Sequence, residues 1–199
     1  MRALIPVAEG NEDIELVSIT DILARGGIDT VLASVEEQKH VPLMQGLEMK
    51  ADCLLKEVLD ENFDAVVMAG GIPGAMRLAG ANGLRELLVR HHEAGAVLAA
   101  ICLSPALVLQ PAGVLDQCQR VTGNSKQIKT RDKTFAPDEF TKLFGAKYDP
   151  TLRVCVDEKQ RIITSQAPAT AIEFALAVVR MLVGDSLADT IDRYIMVAH

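Results

Sequence analysis

Residues 97–109 read VLAAICLSPALVL, and how this stretch is read decides the fold. Five apolar residues, Val97 to Ile101, show no alternation, the pattern of a strand covered on both faces in a parallel sheet. Cys102 follows, then a turn, then Pro105, where the first turn of a helix accepts proline without losing a hydrogen bond. A strand turning sharply into a helix is the corner of a β-α-β unit. It lifts one side chain above the carboxyl edge of the sheet, where open α/β sheets place their active sites. At this corner that side chain is Cys102.

The same rhythm continues outward in both directions. Residues 3–7 (ALIPV), 30–33, 65–69 (AVVMA), 153–156 and 162–164 read as further strands. Helical patterns fill 12–25, capped by Asn11 and closed by Gly26-Gly27, then 84–94, 105–110, 137–143, 169–183 and 187–195, the last capped by Ser186. Strands alternating with helices predict an α/β sandwich with a mostly parallel sheet. No repeat, low-complexity tract or linker divides the chain, so residues 1–199 are expected to form a single domain.

Composition narrows the function classes. With 49% hydrophobic residues the 199-residue chain can bury a core and is not disordered. A net charge of −7 with no basic stripe argues against nucleic acid as a partner. No apolar run approaches the ~20 residues that span a bilayer. The opening MRALIPVAEG enters a strand directly rather than a signal peptide, so a soluble, cytoplasmic protein without a membrane partner is expected. The basic run 126–133 (KQIKTRDK) reads as a solvated loop. The cysteines, Cys53, Cys102, Cys118 and Cys155, form no Cys-x-x-Cys pair and are joined by no His-x-x-x-His run. Neither a zinc site nor a disulfide scaffold is expected, and no metal or cofactor is implied.

Three positions carry potential chemistry. Cys102 sits where a helix N-terminus favours a thiolate or sulfinate, which makes it the expected most acidic thiol of the four. A buried cysteine finishing a core strand fits the same spacing equally well. Glu15 projects inside the apolar arc formed by Leu16, Ile19, Ile22 and Leu23. A carboxyl there is costly unless protonated or hydrogen-bonded, and its pKa should rise; the other reading is a glutamate at the arc's edge that reaches water. Ala69-Gly70-Gly71-Ile72-Pro73-Gly74 follows a strand directly and allows close backbone approach to a ligand. It has neither the G-x-G-x-x-G spacing nor a Walker lysine, so a nucleotide is not indicated.

Four segments carry a family resemblance: AEGNEDIELVSITDILARGGI (8–28), DAVVMAGGIPGA (64–75), VLAAICLSPALVL (97–109) and ITSQAPATAIEFALAVV (163–179). Together they resemble the ThiJ/PfpI superfamily, and within it the branch of the Parkinson's-disease-associated protein deglycase and its bacterial relatives. The resemblance implies a flavodoxin-like three-layer sandwich of the class I glutamine amidotransferase type, and a homodimer. It places the nucleophilic or oxidation-sensitive cysteine at Cys102, the partner carboxyl at Glu15, and oxyanion contacts at the backbone amides of Gly71 and Leu103. There are departures. Leu103 stands where hydrolase-like relatives carry histidine, and Asn124 where the branch often has one. His40, His91, His92 and His199 lie in unrelated segments, so no Cys-His dyad is supported. Leu103-Ser104 replaces Ala-Gly, and Gln45 and Gln166 replace arginines of the dimer interface, while Arg25 matches one of them. The expected function is a cofactor-independent glyoxalase or protein deglycase acting on methylglyoxal or glyoxal, a small 2-oxoaldehyde. The alternative is a cysteine-based oxidative-stress sensor or redox-regulated chaperone with little turnover. Thiamine-precursor metabolism and peptidase activity rank below both.

Overall fold

The apolar runs become strands, and those of the sheet centre are buried almost from end to end. In the computed structural model, which describes residues 1–124, 126, 128, 129, 134, 135 and 137–197, the strands are β1 (Arg2–Val7), β2 (Asp29–Ser34), β3 (His40–Pro42), β4 (Glu48–Lys50), β5 (Cys53–Leu54), β6 (Ala65–Met68), β7 (Val97–Ile101), β8 (Ile128–Lys129), β9 (Thr134–Phe135), β10 (Val154–Asp157) and β11 (Ile162–Ser165). The helices are α1 (Asp13–Arg25), α2 (Gly74–Ala79), α3 (Leu84–Glu93), α4 (Pro137–Phe144), α5 (Ala171–Val183) and α6 (Asp185–Ile195).

Seven strands form one sheet in the order β10-β11-β7-β6-β1-β2-β5. All pairs run parallel except β10–β11 at the edge. Every residue of β6, β7 and β11 is buried, because helices cover both faces. Helices α1 and α5 pack together on one face with α6 against α5, whereas α3 lies on β6 and β7. The fold is therefore α/β, a mostly parallel sheet between helical layers, as expected. The chain runs from β1 outward through β2 to β5, then returns to β6 on the other side of β1. That reversal makes the β1/β6 crevice the topological switch point, where parallel sheets leave room for a ligand.

Local details differ from the sequence reading where a side chain found a tertiary partner. Asn11 does not cap α1; Glu12 does, its side chain accepting the Glu15 amide at 2.8 Å. Ser186 does not cap α6, because the helix already begins at Asp185 behind Gly184. Residues 105–109 are π-helical, with the Gln110 amide donating to the Pro105 carbonyl at 2.9 Å. The short strands β3, β4 and β5 and the six-residue α2 carry too little periodicity to be read in advance. Most of the basic run 126–133, and His199, lie outside the described residues. No described helix is long and apolar enough to cross a membrane.

Candidate active site

Three loops meet at the carboxyl edge of β1, β6 and β7. The first runs from β1 into α1. Asn11 is fully buried there, accepting the Ala8 amide at 2.6 Å and donating from Nδ2 to the Gly70 carbonyl at 2.8 Å. It thus ties the first loop to the second and is unavailable for a helix cap. One turn further on, the apolar arc of α1 carries Glu15 inward. The residue is completely buried, and its Oε2 accepts the Gly70 amide at 2.7 Å.

The second loop is the glycine turn after β6. Its backbone comes so close to the third loop that a side chain has no room. A Cβ on Gly70 would lie 2.6 Å from Cys102 Cβ and 3.1 Å from Glu15 Oε2. Gly71 has φ 94°, and a Cβ there would strike the Gly10 carbonyl. The glycines are what bring the Glu15 carboxyl and the Cys102 thiol into interaction.

The third loop is the corner after β7. Cys102 adopts φ 64°, a left-handed conformation that is strained for a residue with a Cβ. Both its backbone groups are held: the amide donates to Ser165 O at 2.9 Å, and the carbonyl accepts the Asn124 amide at 2.8 Å. Ser104 Oγ secures the next turn by donating to Ala69 O at 2.6 Å. Around the sulfur lie the Gly71 amide and Asn124 Nδ2, the latter 3.4 Å from Sγ. In the sequence Asn124 stands out only as a departure from the family pattern. Its role depends on a contact 22 positions away, and nothing local signals it.

The electrostatics follow from burial. Desolvation pushes Glu15 up to about 8, opposed by the Gly70 hydrogen bond and reinforced by nearby Glu12, itself raised. At neutral pH Glu15 is mostly protonated. Oε1 is buried without a conventional hydrogen-bond partner among the described residues, a carboxyl oxygen held ready beside a thiol. The expectation that the helix N-terminus holds the Cys102 thiol below its free value is not met, and burial raises all four thiols. Cys102 is only 6% exposed, and burial drives its pKa far up, with the Glu15 carboxylate adding to the rise. The Asn124 and Gly71 hydrogen bonds offset part of this, but a five-residue π-turn supplies little dipole. Cys118 is also raised, to about 12.

The remaining sequence assignments are distributed elsewhere. His91 holds the Phe63 amide and the Leu87 carbonyl at the opposite edge of the sheet, and His40 pairs with Glu48. Arg25 binds Asp21 and lies over the Tyr194 ring, while Gln166 donates to Pro150 O. Among the described residues no cluster of His, Cys, Asp and Glu could hold a metal ion.

The chain has relatives of known sequence and structure. The sequence profile of the DJ-1/PfpI family matches residues 1–181. A Caenorhabditis elegans protein named glutathione-independent glyoxalase DJR-1.2 is 33% identical over 176 residues, 88% of this chain and 85% of that protein. DJ-1 homologs A and B of Arabidopsis thaliana are 33% and 35% identical over 97% and 94% of this chain, which spans only 46% and 39% of their lengths. Among solved structures, oxidized Toxoplasma gondii DJ-1 superposes with a TM-score of 0.86 at 36% identity, covering 100% of this chain and 99% of that one. With a profile match over most of its length, this chain belongs to the DJ-1/PfpI family.

Proposed function

We propose that the protein is a cofactor-independent glyoxalase that converts small 2-oxoaldehydes, methylglyoxal or glyoxal, to 2-hydroxy acids. The same chemistry on glycation adducts would register as deglycase activity. One observation carries the reading: a buried carboxyl with a pKa near 8 interacts with a buried thiol at a strained strand corner. An acid–base group titrating close to working pH suits proton transfer in both directions. The nematode relative named as a glyoxalase supports the choice of substrate.

The steps balance without a redox partner. Ionised Glu15 takes the Sγ proton as the sulfur adds to the aldehyde carbon. The new oxyanion is met by the amides of Gly71 and Leu103 and is then protonated by Glu15, giving a hemithioacetal. Glu15 next removes the hydrogen on that carbon as a proton and delivers it to the neighbouring ketone carbon. The hydroxyl proton passes to the neighbouring oxygen, leaving a 2-hydroxy thioester. One carbon is oxidised and its neighbour reduced. Water cleaves the thioester, releasing the hydroxy acid and restoring the thiol.

The test is direct. Protein and methylglyoxal without glutathione should yield lactate, and Cys102→Ser should yield none. Lactate production by Cys102→Ser would overturn the covalent route. A second reading, an oxidation sensor, draws on the donors around Sγ: Asn124 Nδ2, the Gly71 amide and the Glu15 acid proton would all hold a sulfinate. On this reading peroxide should oxidise Cys102 before Cys53, Cys118 or Cys155, as peptide mass spectrometry would register.

A further inference from the structure

The β10–β11 turn carries a residue for which the site at Cys102 has no use. Arg161 adopts φ 54°, left-handed backbone that favours glycine or asparagine over a long side chain. Its side chain is partly buried, and Nε is fully buried with no hydrogen-bond partner among the described residues. A strained backbone that delivers an unmatched guanidinium donor is a costly combination, and such outliers point to a task.

Arg161 immediately precedes β11, just as Asp64 precedes β6 and Ala96 precedes β7. It therefore lies at the amino edge of the sheet, opposite the edge that holds Cys102. There it lines a cavity of about 270 Å³ together with Phe63, Asp64, Arg90, His91 and Leu182. Arg90 adds a second cation, fixed by donating to the carbonyls of Leu59 and Glu61 at 2.6 and 2.9 Å. His91 adds no charge: its Nε2 accepts the Phe63 amide at 3.1 Å, which requires a neutral ring. The stacked Phe63 and His91 rings and Leu182 give the wall an apolar body. Asp64 is the single carboxylate, and its Oδ2 is occupied by the Arg2 amide at 2.7 Å. A second cavity touching Arg161, of about 320 Å³, is balanced in charge, with Arg180 opposed by Glu158 and Asp185.

We propose that the 270 Å³ cavity binds a small organic monocarboxylate with an apolar body, and that Arg161 is its anchor. The guanidinium fork matches the two oxygens of a carboxylate. The resting rotamer leaves Nε unmatched, so rotation towards an incoming anion sacrifices no hydrogen bond at that atom. A singly charged group is favoured over a phosphate dianion because Asp64 shares the cavity and, of the two side-chain cations among its described lining residues, Arg90 is already committed to the carbonyls of Leu59 and Glu61.

Calorimetric titration of the whole chain with benzoate, and with phenyl phosphate in parallel, tests this. Saturable benzoate binding should persist in Cys102→Ser and weaken roughly tenfold or more in Arg161→Gly. Arg161→Gly should stay folded with an unchanged or higher melting temperature, since glycine accepts the left-handed turn. Three results would each overturn the proposal: no saturable benzoate binding, equal binding by Arg161→Gly, or loss of binding in Cys102→Ser. Tighter binding of phenyl phosphate than benzoate would overturn the monocarboxylate assignment.

Discussion

A buried carboxyl with one oxygen on an amide and a thiol beside it rests as the acid, not the anion, and Glu15 sets two pH dependences in consequence. The first is on stability. Its pKa rises from 4.5 in the unfolded chain to about 8 in the folded one. The folded state then holds a proton that the unfolded state has released throughout that window. Stability from this group is full below pH 4.5, falls as pH climbs and levels off above about 8. Urea unfolding across pH 4 to 9 should show this fall, and Glu15→Gln should flatten most of it; the raised Glu12 leaves a smaller slope of the same sign. The second dependence is on turnover. Lactate production should rise towards pH 8 as Glu15 ionises, and Glu15→Gln should cut it by ~10²–10⁴-fold, the usual contribution of a general acid–base group. Asn124→Ala removes a donor to Sγ and should slow iodoacetamide alkylation of Cys102 by roughly tenfold, equivalent to ~1.4 kcal/mol of lost thiolate stabilisation. An unchanged alkylation rate would remove Asn124 from the site.

At the scale of elements, the site is a junction of three strand ends whose distances are set by missing side chains. Gly70→Ala tests this. The added methyl would lie 2.6 Å from Cys102 Cβ and 3.0 Å from Ile101 O, neither of which can retreat, since Cys102 is held through its own amide and carbonyl. Overpacking of this kind typically costs ~1–3 kcal/mol, visible in a thermal melt. Turnover should suffer more than stability, because the same shift moves the Gly70 amide off Glu15. The corner at Cys102 was legible in the sequence because its signals are local: an apolar run, a turn, a proline. Asn11 shows the opposite. An asparagine before a helix fits a cap by every local rule, but its amide is committed to Ala8 and Gly70, the latter 59 positions distant.

At the scale of the whole molecule, stability resides in the sheet and the α1–α5 layer packed on it. Phe174, on α5, is the largest of the fully buried side chains described, and Phe174→Ala should cost ~3–5 kcal/mol in chemical unfolding. Met196, 83% exposed beyond α6, should tolerate serine with little change. Alternation of unbroken apolar runs with amphipathic stretches was enough to determine the α/β class, because burial on both faces of a parallel sheet leaves that pattern in the chain. Glu15 was readable for the same reason, as a charge inside an apolar arc. The tertiary structure alone decided what those residues do. Parallel strands separated by long crossovers brought Glu15, Gly70, Cys102 and Asn124 to one edge. Complete burial then reversed the expected acidity of the thiol, because desolvation depends on what the rest of the chain packs around the sulfur, and no window of sequence contains that.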